Sequence, residues 1–269
     1  MAGATAAERR EALKRIYLDE ARDCVRCPLA ESRTHVVFGA GDADADVLFV
    51  GEAPGANEDR EGLPFVGRAG KLLDELLAGI GLERADVFIA NVLKCRPPGN
   101  RDPQAGEIEA CRDYLSRQVD LIQPRVICTL GNFATKLLRD DPTGITRIHG
   151  QAEARIVGAR AVWLFPLHHP AAALYTPSNA ELLRADFARI PALVAEALPE
   201  LEPVPEAAPG ASAVPDPEVL EEPEPPEAAA SVSPPGEEDE RQTVEDDRQA
   251  VAAGPARTEP EPPPQLGLF

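Results

Sequence analysis

The chain has no apolar run long enough to cross a bilayer. Its longest, such as Ala161 to Leu167, stop far short of the roughly 20 residues that a spanning helix needs. The residues after Met1 form no apolar core of the kind an export signal carries, so a cytoplasmic protein is expected. No internal repeat is visible. Basic residues nearly vanish late in the chain, where residues 201–269 contain 3 of the 27 Lys and Arg, no cysteine, and Phe269 as the sole aromatic. The same stretch has 15 of the 28 prolines and 17 of the 46 acids. Such a segment cannot bury enough apolar surface to offset its ordering entropy, and it is expected to be a disordered acidic tail. Its 17 acids against 3 bases account for −14 of the formal charge of −19, leaving residues 1–200 at −5. The acidity of the whole therefore does not exclude a nucleic-acid partner for residues 1–200. The tail itself would repel DNA and suits a tether.

Two hundred residues suffice for one domain with a sizeable core, and domains at 1–200 and 201–269 are expected. Short β-rich runs occur at Asp46–Val50, Asp86–Asn91, Arg125–Leu130 and Ala161–Pro166, with a further candidate at Glu153–Val157. Helical periodicity marks 5–22, 68–80, 103–121, 132–139 and 179–196; Leu72, Leu73, Leu76, Leu77 and Ile80 illustrate it. Pro103 suits the first turn of the third helix. Alternating strands and helices imply βαβ units, hence an α/β fold with a mainly parallel sheet covered on both faces.

Ligands of open parallel sheets bind beyond the carboxyl ends of the strands. The first strand delivers Glu52 there, the second Asn91, and the strand at 161–166 delivers His168 and His169. The loop after Glu52 adds Phe65 among glycines that allow close backbone approach. Together, an acid, a planar amide, a flat ring and an imidazole could bind and cleave a nucleoside. The amide can read a base edge, and the ring can stack on it. Imidazole can stabilise a departing anion, and the acid a cationic sugar. Each also has a plain structural reading: Glu52 as a capping or salt-bridging acid, Asn91 as a turn residue, the histidines as loop supports.

Cys24 and Cys27 form "CVRC", Cys95 lies in "KCRPPGNR" and Cys111 in "EACRDYL". In a reducing compartment such cysteines point to metal ligation rather than disulfides. Four thiolates suit an iron–sulfur cluster or a structural zinc, and spacing does not separate the two. Cys128, inside "RVICTL", reads as a small core hydrophobe.

The stretches "GEAPGANED", "PFVGRAG", "NVLKCRPPGNR" and "HHPAAAL", with the four cysteines interleaved, resemble the family 4 uracil-DNA glycosylases from about Cys24 to the helix ending near 196. The resemblance implies a three-layer α/β/α fold with a four-stranded, largely parallel central sheet. It also implies a [4Fe–4S] cluster on Cys24, Cys27, Cys95 and Cys111, and hydrolytic removal of uracil from DNA. By motif position Glu52 and His169 are the catalytic pair. Glu58 crowds carbon 5 of the base, Phe65 stacks on it, and Asn91 reads it. Family 5 enzymes are similar but carry G-L-A-P-A without the acid that stands here as Glu52. The covalently trapping relatives carry K-R-R-I-H, whereas the stretch after Asn91 reads "VLKCRPPGNRDP" with no histidine. Arg68, Lys71, Arg96 and Arg101 are candidate phosphate contacts. Two other readings use the same residues: a zinc-stabilised DNA-binding module without catalysis, and a metal-dependent nuclease built on Glu52, Glu58 and Asp59.

The chain's last five residues, "QLGLF" from Gln265 to Phe269, follow three prolines. They resemble the short peptide by which bacterial repair and replication proteins bind the sliding clamp, with the acidic tail as a tether raising local concentration. The partners expected are uracil-containing DNA and this clamp, with no membrane and with the protein acting as a monomer.

Overall fold

The computed structural model describes residues 3–198. The acidic tail from Leu201 and its terminal QLGLF lie outside them. Six strands form one sheet: β1 (Ala40–Gly41), β2 (Val47–Gly51), β3 (Phe88–Asn91), β4 (Val126–Leu130), β5 (Glu153–Val157) and β6 (Arg160–Leu167). Their order is β1-β3-β2-β4-β6-β5. The four central strands are parallel, while β1 and β5 pair antiparallel at the edges. The expected four-stranded sheet is thus the centre of a six-stranded one. The extra strands are the candidate at Glu153–Val157 and a two-residue edge too short to leave a periodic signal.

Every residue of β2, β3 and β4 is buried, as befits strands covered on both faces. Side chains alternate between the two sides. Leu48 and Val50 pack with α1 (Ala6–Ile16) and α4 (Ala105–Ile122) through Leu13, Tyr114 and Val119. Val47 and Phe49 pack with α3 (Arg68–Ala78), α8 (Pro177–Phe187) and α9 (Ile190–Ala195) through Leu73, Phe187 and Ile190. This is the three-layer α/β/α arrangement. The helices α2 (Ala56–Glu61), α5 (Asn132–Arg139), α6 (Ile145–Ile148) and α7 (Pro170–Ala173) complete it. Among the described residues no helix is long and apolar enough to cross a membrane.

Three expectations shift in detail. The helix expected over 179–196 is two helices, because Pro191 lacks the N–H that a continuous helix would need and instead sits in the first turn of α9. Pro103 lies outside α4, which starts at Ala105 behind a Gln104–Glu107 capping box. The helix expected over 5–22 changes at Tyr17 to a wider π-turn running to Ala21.

One polar network crosses the α1/α4 layer. Lys94, 1% exposed, donates its ammonium to the Asn91 carbonyl (2.8 Å) and to Gln118 Oε1 (2.6 Å). Gln118 in turn donates to the Phe38 carbonyl at 2.8 Å. Burial draws the Lys94 ammonium down to about 8. Gln118→Leu should cost about 1.5–3 kcal/mol by removing one of the two acceptors of that charge. In a cycle with Lys94→Met the double variant should lose about 1 kcal/mol or more less than the sum of the singles, measured by denaturant unfolding. Additive losses would mean the two groups do not act together.

Candidate active site

The parallel register aligns the strand ends. Gly51 of β2 pairs with Asn91 of β3, and Leu130 of β4 with Leu167 of β6. Glu52, Asn91, His168 and His169 therefore leave the sheet at one rim. How closely they gather is measured at Gly51. A Cβ there would stand 2.4 Å from Asn91 Oδ1 and 2.8 Å from the Phe65 ring edge, so amide and ring flank a spot only glycine can leave open. Asn91 is 2% exposed, and among the described residues none hydrogen-bonds its side-chain amide. Phe65 lies near-parallel to the His169 ring, with centroids 5.7 Å apart at 28°.

His169 caps α7, its Nδ1 accepting from the Ala171 N–H at 3.1 Å. That bond makes Nδ1 the acceptor and leaves the proton of the neutral ring on Nε2. Protein surrounds the ring, though part of its edge stays accessible. Burial lowers it to about 4, against a smaller opposing pull from Glu58, so it is neutral at physiological pH. Glu52, half-buried, is raised by burial and secondarily by the charge of Asp102. His168 is a different case. It packs against the His149 ring at 4.5 Å, and His149 Nδ1 bonds Asp186 at 2.8 Å, so this group supports the loop from behind.

Glu58, on α2, accepts from the Val66 and Gly67 N–H groups through one oxygen, both at 3.0 Å. The carboxylate thus fixes the turn that presents Phe65, a role the sequence did not suggest. Asp59, the acid most easily confused with it, is buried and accepts from the Thr34 N–H at 2.9 Å, away from the site. Phe65 itself has φ +53, a left-handed backbone that is costly for a residue with a side chain. Its carbonyl packs onto α3 where a Cβ on Gly70 would lie 1.7 Å away.

The cysteines gather beside this rim in the α1/α4 layer. Cys95 and Cys111 are buried; Cys24 and Cys27 pack against the same cluster half-exposed. Burial raises the thiols of Cys95, to about 12, and of Cys111. Cys95 lies within reach of the charges of Cys111 and Cys27, and Cys111 within reach of those of Cys27 and Cys24. Two sulfurs face N–H donors: Cys111 the backbone of Lys94 at 3.3 Å, and Cys95 the Arg33 guanidinium at 3.6 Å. Among the described residues no three His, Cys, Asp or Glu side chains form a ready site for a single metal ion. Cys128 is fully buried in β4, a core residue as expected.

Of the candidate phosphate contacts, Arg101 is committed internally, gripping Glu107 at 2.5 and 2.9 Å, and Arg96 bonds Asn100 at 2.7 Å. Arg68 lies over the ring of Tyr175, which is 77% exposed.

The model of the uracil DNA glycosylase superfamily matches residues 38–201. A type-4 uracil-DNA glycosylase of Sulfurisphaera tokodaii is 48% identical over 177 residues, covering 64% of this chain and 80% of that protein. One of Archaeoglobus fulgidus is 46% identical over 186 residues, 68% of this chain and 94% of the relative. One of Thermotoga maritima is 43% identical over 171 residues, 63% and 88% respectively. With these identities over most of each relative's length, the chain belongs to the uracil DNA glycosylase superfamily and, within it, to the type-4 uracil-DNA glycosylases.

Proposed function

We propose that this protein removes uracil from DNA by hydrolysing the N-glycosidic bond, leaving an abasic site. The observation that carries the reading is the meeting of an unengaged amide and a flat ring at Gly51, with a neutral imidazole stacked beside that ring. The target nucleotide must leave the stack, because its glycosidic bond is inaccessible inside the duplex. Phe65 then stacks on the base, a contact worth about 1–3 kcal/mol. The Asn91 amide pairs with O4 and N3–H. Cytosine places a donor where uracil has O4, and leaving the buried amide mismatched costs about 1–3 kcal/mol. Glu58, held by two backbone N–H groups, stands against carbon 5 and rejects the methyl group of thymine.

As the bond breaks, the sugar becomes cationic and uracil leaves as an anion. A neutral His169 donating Nε2–H to O2 stabilises that anion without first supplying a mobile proton. Glu52, ionised, stabilises the cation and orients the water that attacks carbon 1 of the sugar. In this site the nuclease reading is the weaker one, since Asp59 is tied to Thr34 and Glu58 to the Phe65 turn.

The four thiols suit a [4Fe–4S] cluster on Cys24, Cys27, Cys95 and Cys111. The N–H donors already facing Cys95 and Cys111 would stabilise them as thiolates. When bound, the group supplies a crosslink between the 24–27 segment and the 95–111 segment. Lys94, bonded to the Asn91 carbonyl and donating its backbone N–H to Cys111, ties that crosslink to the base-reading strand end.

Two tests follow. His169→Ala should lose about 100- to 1,000-fold in single-turnover rate, as for loss of one anion-stabilising donor. Asn91→Asp should lower uracil excision, and Glu58→Ala should gain thymine excision. The acid limb of kcat/KM should lie above the ordinary glutamate range, where the half-buried Glu52 takes up its proton, and should persist in His169→Asn because His169 is already neutral down to about 4. A limb that disappears with His169 and survives in Glu52→Gln would overturn these assignments. Separately, protein purified without air should be brown with a broad absorption band near 400 nm and about four irons per chain. A colourless, zinc-containing protein would overturn the cluster.

A further inference from the structure

Phe65 is the one site residue whose own backbone resists its position. A left-handed φ at a non-glycine residue costs about 1–2 kcal/mol, so surrounding contacts must hold it. Glu58 supplies them on one side, binding the N–H groups of Val66 and Gly67. The other side is held by a residue outside every motif noted in the sequence. Arg84 comes from a 3-10 turn (Arg84–Asp86) between α3 and β3. Its Nη1 donates to the Pro64 carbonyl at 3.0 Å and its Nη2 to the Phe65 carbonyl. Its Nε is paired with Asp74 Oδ1 of α3 at 2.5 Å, which fixes the plane of the guanidinium. A planar fork on two successive carbonyls, itself locked by a carboxylate, defines both the height and the rotation of the turn.

The space around this contact shows why it matters. An open cavity of about 640 Å³ borders the turn, lined by Pro64, Phe65, Lys71, Asp74 and Arg84 among others. Arg84 lines this cavity together with the two residues whose carbonyls it holds. The turn's carbonyls face Arg84 and its N–H groups face Glu58, so two opposite charges grip four consecutive residues, Pro64 to Gly67.

We propose that Arg84, oriented by Asp74, is a positioning residue for the reaction: it holds the Phe65 ring at the distance from Asn91 and His169 that a flipped base requires. It touches neither base nor sugar and acts only through Phe65. The inference rests on the reading of Phe65 as the base-stacking ring.

A double-mutant cycle separates the two claims. Single-turnover rate and half-saturating enzyme concentration are measured on uracil-containing oligonucleotides for Phe65→Ala, Arg84→Ala and the double variant, well below each variant's unfolding temperature. Arg84→Ala should lose up to about 100-fold in rate, the scale of a small misplacement at a reacting centre. In the Phe65→Ala background the same change should have almost no further effect. Arg84→Lys, keeping one donor, should recover part of the loss, and Asp74→Asn should show a smaller loss in the same direction. If Arg84→Ala does not fold, Arg84→Lys and Asp74→Asn carry the same cycle with Phe65→Ala. An Arg84 effect that persists in full without the ring would overturn the proposal, as would an Arg84→Ala enzyme at wild-type rate. Wild-type activity in Phe65→Ala would instead overturn the stacking role, and with it this inference.

Discussion

The site depends on a missing side chain at the end of β2. Gly51 is flanked by the Asn91 amide and the Phe65 ring, and a single methyl group there would collide with both. The parallel register makes this possible, because it places Gly51 directly beside Asn91 and ends β6 just before the histidines. The loop can then fold its aromatic ring back over the strand ends. Widening the gap would separate ring from amide; narrowing it would close the space between them.

Burial then sets the chemistry of each group. The enclosure that depresses His169 also raises Glu52, because burial disfavours the charged form of each. A neutral donor and an anionic acid suit a reaction that separates charge into an anionic base and a cationic sugar. Behind the rim, the buried Lys94 ammonium reaches the Asn91 carbonyl from the cysteine layer. The strand end that carries Asn91 thus shares a polar network with the segment that bears Cys95. On the Phe65 side, the turn borders a cavity and is held by Glu58 and Arg84.

The central strands were legible because burial on both faces leaves nearly unbroken apolar runs, and the long helices because their stripes repeat. Elements without either signal were not. The first edge strand has two residues, and α2 is built from "ANEDRE", with no apolar stripe. Glu52, Asn91 and His169 could be found from the rule that ligands sit beyond parallel strand ends, before any resemblance was invoked. Lys94 is the one charge in "NVLKC", and only the fold shows it turned inward toward Gln118. Arg84 in "GLERADVF" resembles any surface arginine; its function depends on a turn 19 residues earlier, a distance no local pattern encodes. Arg101 misled in the opposite sense, as a basic residue in a motif that is spent on Glu107.

The central claim is that the space at Gly51 receives a flipped uracil. The most direct measurement is a crystal structure of the protein with its product, abasic DNA and free uracil. Uracil should lie parallel to Phe65, its O4 and N3–H paired with the Asn91 amide and its O2 within hydrogen-bond distance of His169 Nε2. A base bound elsewhere on the rim, with the Asn91 amide left unpaired, would contradict the account.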